Sequence, residues 1–81
     1  MTFSLSKQAI KYLKSLQPRF TKHIISAIEK LPDSGDIKTI KGKKTPPLYR
    51  LRIGNYRVIF HRNWDKIRVI KIDTRGDVYK T

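Results

Sequence analysis

With 81 residues the chain can build one small core and bury only roughly 60% of the surface its unfolded form exposes, which excludes a nucleotide-binding α/β enzyme or a barrel and predicts a single domain over 1–81. Nineteen Lys and Arg against six Asp and Glu leave a formal net charge of +13, so an anionic partner is expected. The absence of cysteine excludes disulfides, thiolate metal sites and cysteine nucleophiles, and with no apolar run of membrane-spanning length and no signal-peptide pattern the expectation is a cytoplasmic protein without a membrane partner.

Apolar residues make up 38% of the chain and fall in periodic segments, which predicts a folded protein. Residues 2–5 read as a short strand. Ser6 then caps a helix in which Ala9, Ile10, Leu13 and Leu16 recur at helical spacing, while Lys7, Lys11 and Lys14 face outward. A second helix opens with Pro18, carries Phe20, Ile24, Ala27, Ile28 and Leu31 as one stripe, and ends at Pro32. The break at Gln17 permits only a tight helical hairpin, whose apolar stripes need a sheet to cover. Residues 33–47 hold two glycines, two prolines and four lysines, and are expected to form a loop. That loop is either a solvated connector or a phosphate-contacting arm bearing Lys41, Lys43 and Lys44.

From Leu48 the period changes to two. YRLRI and YRVIFHR flank Gly54-Asn55, which reads as a hairpin turn, and IRVIKI at 67–72 supplies the next strand after a turn at Asn63-Trp64-Asp65-Lys66. The expected fold is α+β, with two amino-terminal helices packed on one face of a small antiparallel sheet of three to four strands. A turn at residues 54 and 55 pairs Ile53 with Tyr56, Arg52 with Arg57, Leu51 with Val58, Arg50 with Ile59 and Tyr49 with Phe60. One face is then aromatic and aliphatic, and the other collects Arg50, Arg52, Arg57, Ile59 and His61.

Like charges placed opposite one another destabilise a sheet, so folding alone does not ask for this arrangement. The arginines are either solvated strand residues or, without a nearby carboxylate, a site for phosphate oxygens, which guanidinium groups bind bidentately. Tyr79 and Trp64 are available for base stacking, although Trp64 serves equally well as a turn residue covering the core edge. His23 and His61 are the two imidazoles, and neither stands in a metal-ligand spacing; His23 is expected on the solvent side of the second helix. Nor is there a nucleophile elbow or a glycine-rich phosphate loop, so any catalysis is expected to proceed without metal or cofactor.

LYRLRIGNYRVIFHR at 48–62, IRVIKI at 67–72 and TRGDVYK at 74–80 together resemble the RelE/ParE toxin superfamily, in its RelE-like branch, over essentially the whole chain. The resemblance implies a type II toxin that a cognate antitoxin neutralises in a hetero-oligomer. It implies a ribosome-dependent endoribonuclease that cuts messenger RNA in the A site by attack of a ribose 2′-hydroxyl on its own 3′-phosphate. Arg57 and Arg75 then stabilise the transition-state charge, with Tyr79 as stacking group or general base and Arg52 completing the catalytic set. Arg50 and Arg52 bind and orient phosphate, joined by Lys41, Lys43, Lys44 and His61. Thr74 stands where many relatives have a histidine, and His61 is the imidazole that shares the arginine face. Two other functions are compatible with the residues: a ParE-like inhibitor of DNA gyrase, and a noncatalytic basic RNA-binding module.

Overall fold

The structure is a computed structural model that describes residues 2–31, 33–40 and 48–74. Strand β1 (Thr2–Leu5) leads into helices α1 (Lys7–Lys14) and α2 (Pro18–Glu29), followed by strands β2 (Asp36–Thr39), β3 (Leu48–Ile53), β4 (Tyr56–Asn63) and β5 (Lys66–Thr74). The five strands form one sheet in the order β1-β5-β4-β3-β2. Among the described residues no helix is long and apolar enough to cross a membrane.

The helices form where the sequence places them. Ser6 takes an extended conformation and its hydroxyl accepts the Ala9 amide at 3.1 Å, satisfying a donor that the first turn leaves free. The buried side of α1 is centred on Ala9 and Leu13, one turn apart; Ile10, expected on this stripe, is rotated off it and 40% exposed. Pro18 opens α2, where it has no amide to lose. Ile24 and Ile28 are buried against the sheet with Leu31 just beyond, whereas Phe20 sits at the margin against Tyr56. Thr21 ties the helices by donating its hydroxyl to the Leu13 carbonyl at 2.8 Å.

The predicted hairpin register is the observed one, from Ile53↔Tyr56 through Arg52↔Arg57 to Tyr49↔Phe60. Leu51, Ile53, Val58, Phe60, Ile67, Val69 and Ile72 therefore share the face that the helices cover. Three features depart from expectation. Residues 36–39, read as loop, form an antiparallel edge strand on β3, with Ile37 its one half-buried side chain. The segment 2–5 is indeed a strand, but it runs parallel to β5, so the sheet is mixed rather than antiparallel. Finally, β5 extends to Thr74 and carries a bulge opposite Ile59 and Phe60.

Beyond that bulge β1 no longer covers the edge of β5, and α1 takes its place. The Ser6 hydroxyl donates to the Ile70 carbonyl at 2.5 Å, the Gln8 amide nitrogen donates to the Ile72 carbonyl at 3.0 Å, and Gln8 Oε1 accepts the Ile72 amide at 3.0 Å. Side chains thus satisfy backbone groups that another strand would otherwise pair. Ser6→Ala removes a helix cap and this clip together. It is expected to cost about 1–2 kcal/mol, read as a fall of roughly 5–15 °C in melting temperature for a domain this small. A shift under 2 °C would show that the clip contributes nothing.

Candidate nucleic-acid interface

No described element covers the second face of the sheet. Its side chains fall in rows that cross the strands, because directly paired residues share a face. The first row reads Asp36, Arg52, Arg57, Asp73. The second reads Lys38, Arg50, Ile59, Lys71. In the third, Leu48, His61, Arg68 and Ser4 stand side by side, and in the fourth Asn63, Lys66 and Thr2.

The first row corrects one expectation. Arg57 was expected to lack a carboxylate partner, yet its Nε and Nη2 both donate to Asp73, each at 3.0 Å. These hydrogen bonds, and secondarily the charge of Asp73, raise the guanidinium pKa above its ordinary value against a small opposing effect of burial. A raised pKa for a cation stabilises the fold at every pH below that of the unfolded arginine, and the contribution is lost only in strong alkali. Arg57 is consequently a permanent cation and not a proton acceptor. The pairing escaped sequence reasoning because the last strand was ended at Ile72, one residue short of the carboxylate. Arg52 lies 3.8 Å from Asp36, which makes an ion pair but not a hydrogen bond.

The second row carries no carboxylate, and Arg50 stands at its centre. Arg50 is half-buried, and among the described residues its Nε and Nη2 are buried without a hydrogen-bond partner. The Nε of Arg52 and the Nδ1 of His61 are in the same condition. An unsatisfied buried donor costs about 1–3 kcal/mol, more when charged, so such groups call for an explanation. All four belong to side chains of one sheet face, and the guanidinium groups among them are of the kind that phosphate oxygens satisfy.

Of the residues assigned from the sequence, Arg50, Arg52 and Arg57 meet as a triangle, with Arg52 and Arg57 directly opposed and Arg50 one diagonal step away. His61 shares the face but lies four residues from Arg57 along β4, about 13 Å at ~3.3 Å per residue, and so neighbours Arg50 instead. His23 is exposed on α2 as expected. Lys41, Lys43, Lys44, Arg75 and Tyr79 lie outside the described residues. Lys38, expected on the lysine-rich loop, stands instead on β2, and the sequence reading missed Lys71; the two flank Arg50 and Ile59 in the second row. Lys71 also stands 3.6 Å from Asp73, sharing the carboxylate that holds Arg57. Trp64 does not cover the core edge: its side chain is 90% exposed at the β4–β5 turn.

Larger clefts occur on the helix side. One of about 340 Å³ between α2 and the Gly54 turn touches Arg52 but neither Arg50 nor Arg57. The open face carries a depression of about 240 Å³ bounded by Ser4, His61, Asn63, Lys66 and Arg68. Cationic rows that cross a whole sheet face suit an extended polyanion.

Comparison with known proteins converges on one group. The family described as the ParE toxin of the type II toxin–antitoxin system parDE matches residues 3–79. The curated protein RelE1 of Methanocaldococcus jannaschii is 36% identical over 84 residues, spanning 94% of this chain and 91% of that protein. Among solved structures, the archaeal RelE–RelB complex of Pyrococcus horikoshii OT3 contains a chain that superposes with a TM-score of 0.77 at 27% identity, covering 95% of this chain and 97% of that one. The RelB–RelE antitoxin–toxin complex of Methanococcus jannaschii gives 0.71 at 31% identity, covering 99% and 96%.

Proposed function

Because this chain belongs to the ParE toxin family of type II toxin–antitoxin systems, with the RelE proteins among its relatives, we propose that it is a RelE-type endoribonuclease. In this reading it enters the ribosomal A site, cuts messenger RNA there and so halts protein synthesis in the cytoplasm until an antitoxin captures it. The observation that carries the reading is the pair Arg50 and Arg52 on the open face, whose buried guanidinium nitrogens have no hydrogen-bond partner among the described residues. A gyrase-binding protein gains nothing from guanidinium groups desolvated in advance, whereas a scissile phosphate uses them. Solved relatives in complex with RelB support an antitoxin as the partner, and in this reading its acidic or amphipathic segment covers this face.

The chemistry follows from the donor set. The ribose 2′-oxygen attacks the adjacent phosphorus and the bond to the 5′-oxygen breaks, giving a 2′,3′-cyclic phosphate and a free 5′-hydroxyl. One proton leaves the 2′-hydroxyl and one reaches the departing oxygen. The pentacoordinate phosphorane carries extra negative charge, and pre-positioned cations lower its energy more than that of the substrate. Arg50 and Arg52 hold the non-bridging oxygens. Arg57, gripped by Asp73 through Nε and Nη2, turns its remaining Nη1 edge to the same oxygens. Arg75 and Tyr79 complete the set carried over from the resemblance, with Tyr79 stacking on a base or taking the proton, and Lys41, Lys43 and Lys44 track neighbouring phosphates.

The test is cleavage of a defined messenger on programmed ribosomes with the new ends mapped. Cuts in phase with codons, leaving cyclic phosphates, are the expected result. Intact messages together with gyrase-linked double-strand breaks would favour the ParE-like alternative, which the matching family's own description keeps in view. Asp73→Asn sharpens the mechanism: one negative charge is lost and Arg57 loses its clamp. RNA should bind more tightly, with the salt dependence steepened by up to ~0.7 in log–log slope, while cleavage falls about 10-fold because positioning is lost. Unchanged cleavage would remove Asp73 from the mechanism.

A further inference from the structure

Trp64 occupies a position that its type ordinarily avoids. It is the first loop residue of the two-residue β4–β5 turn and adopts φ 55°, in the left-handed region that favours glycine. The equivalent place in the β3–β4 turn is held by Gly54, at φ 57°. The indole receives no packing in return, since it is 90% exposed. The turn is nevertheless held firmly: Asn63 pairs with Lys66, and the Thr2 amide donates to the Asp65 carbonyl at 2.6 Å. A large aromatic ring in strained backbone on a fixed tip is the signature of a contact residue.

Its surroundings indicate the kind of contact. A depression bounded by Ser4, His61, Asn63, Lys66 and Arg68, all polar or cationic, ends at the two residues that precede and follow the turn. Apolar residues that a protein hot spot gathers around itself are elsewhere: Ile10 and Ile25 border a groove beside α1 and α2, and Phe20 lies against Tyr56 at the far end of β4. An exposed ring next in sequence to Asp65, at the head of the strand whose Lys66 and Arg68 lead back to the arginine rows, matches the stacking platforms of proteins that bind single-stranded nucleic acid.

We propose that Trp64 stacks on an unpaired nucleobase of RNA while Lys66 and Arg68 hold the adjoining phosphates, forming a second RNA contact about 23 Å from Arg57 at ~3.3 Å per residue along β4. The choice of RNA rests on the nuclease reading above; the ring, its strain and its cationic flank do not.

Trp64 is the only tryptophan in the chain, so its fluorescence reports this contact directly. The probe is a 12-nucleotide single-stranded RNA, fully 2′-O-methylated so that no 2′-hydroxyl can attack, compared with the same RNA as a duplex. The single strand is expected to quench the emission and the duplex to leave it nearly unchanged. Trp64→Gly should bind the single strand about 10-fold more weakly, the scale of one lost stack, with an unaltered salt slope and a melting temperature at or above the parent's. Trp64→Phe should retain most of the affinity. Joint replacement of Lys66 and Arg68 by alanine should keep the quenching but reduce the salt slope by about 1.4.

Binding of the strand with silent emission and parental affinity in Trp64→Gly would overturn the proposal. So would emission that responds to a bound protein partner and not to RNA. Quenching by RNA in a protein that cuts no message would retire the nuclease reading while leaving the stacking site in place.

Discussion

Replacing Arg50 by alanine is expected to reduce messenger cleavage by about 10²- to 10³-fold, the scale of losing one preorganised transition-state donor, while leaving stability within about 1 kcal/mol of the parent. The two effects part company because of where Arg50 stands. Two of its buried nitrogens have no partner among the described residues, so truncation relieves about 1–3 kcal/mol of desolvation. The loss of its methylene stem costs a similar amount, about 0.8 kcal/mol for each buried carbon. Arg57→Ala should lower cleavage comparably but also lower the melting temperature, since Asp73 loses its bidentate partner and keeps only Lys71 at 3.6 Å. Cleavage assays beside thermal melts check both. Parental cleavage by Arg50→Ala would move the site off the second row.

Phe60→Ala is expected to unfold most of the isolated protein at 37 °C. Phe60 is 2% exposed at the centre of the sheet and stacks on Tyr49 with ring centroids 5.5 Å apart. Truncating a buried phenylalanine costs about 3–5 kcal/mol through lost transfer energy and the cavity left behind. A core in a domain this small supplies roughly that much in total. Any partner that binds only the folded state restores stability in proportion to its concentration over its Kd. Co-expression with the antitoxin should therefore recover folded Phe60→Ala, and dilution should release it unfolded. A melting temperature within 5 °C of the parent would show that the sheet does not depend on this ring.

The reach of the sequence depended on how each segment repeats. Alternation from Leu48 onward fixed the register, because a slip of one residue would have turned Leu51, Ile53, Val58 and Phe60 to solvent. The same alternation groups Arg50, Arg52, Arg57 and His61 on the opposite face. β2 gave no such signal: a four-residue edge strand with one half-buried apolar side chain has no period to detect. A faint clue was Gly35, whose φ of +122° and close approach to Leu51, where a Cβ would fall 2.7 Å from Cδ1, let the chain turn tightly onto β3. The parallel course of β1 and the Asp73 partner of Arg57 depend on pairings far apart in the chain, which local patterns do not encode.

The clip between Ser6 and Ile70 joins residues 64 positions apart, and among the described residues β1 has no strand neighbour other than β5. At ~5–20 residues per second of synthesis, Ser6 waits roughly 3–13 s for that partner to be made. The first of the five strands to be made is thus seated only after the fifth. A nascent polypeptide that has not yet reached Asp73 cannot present Arg57 in its finished orientation, so the cationic face becomes competent only once β5 has been made.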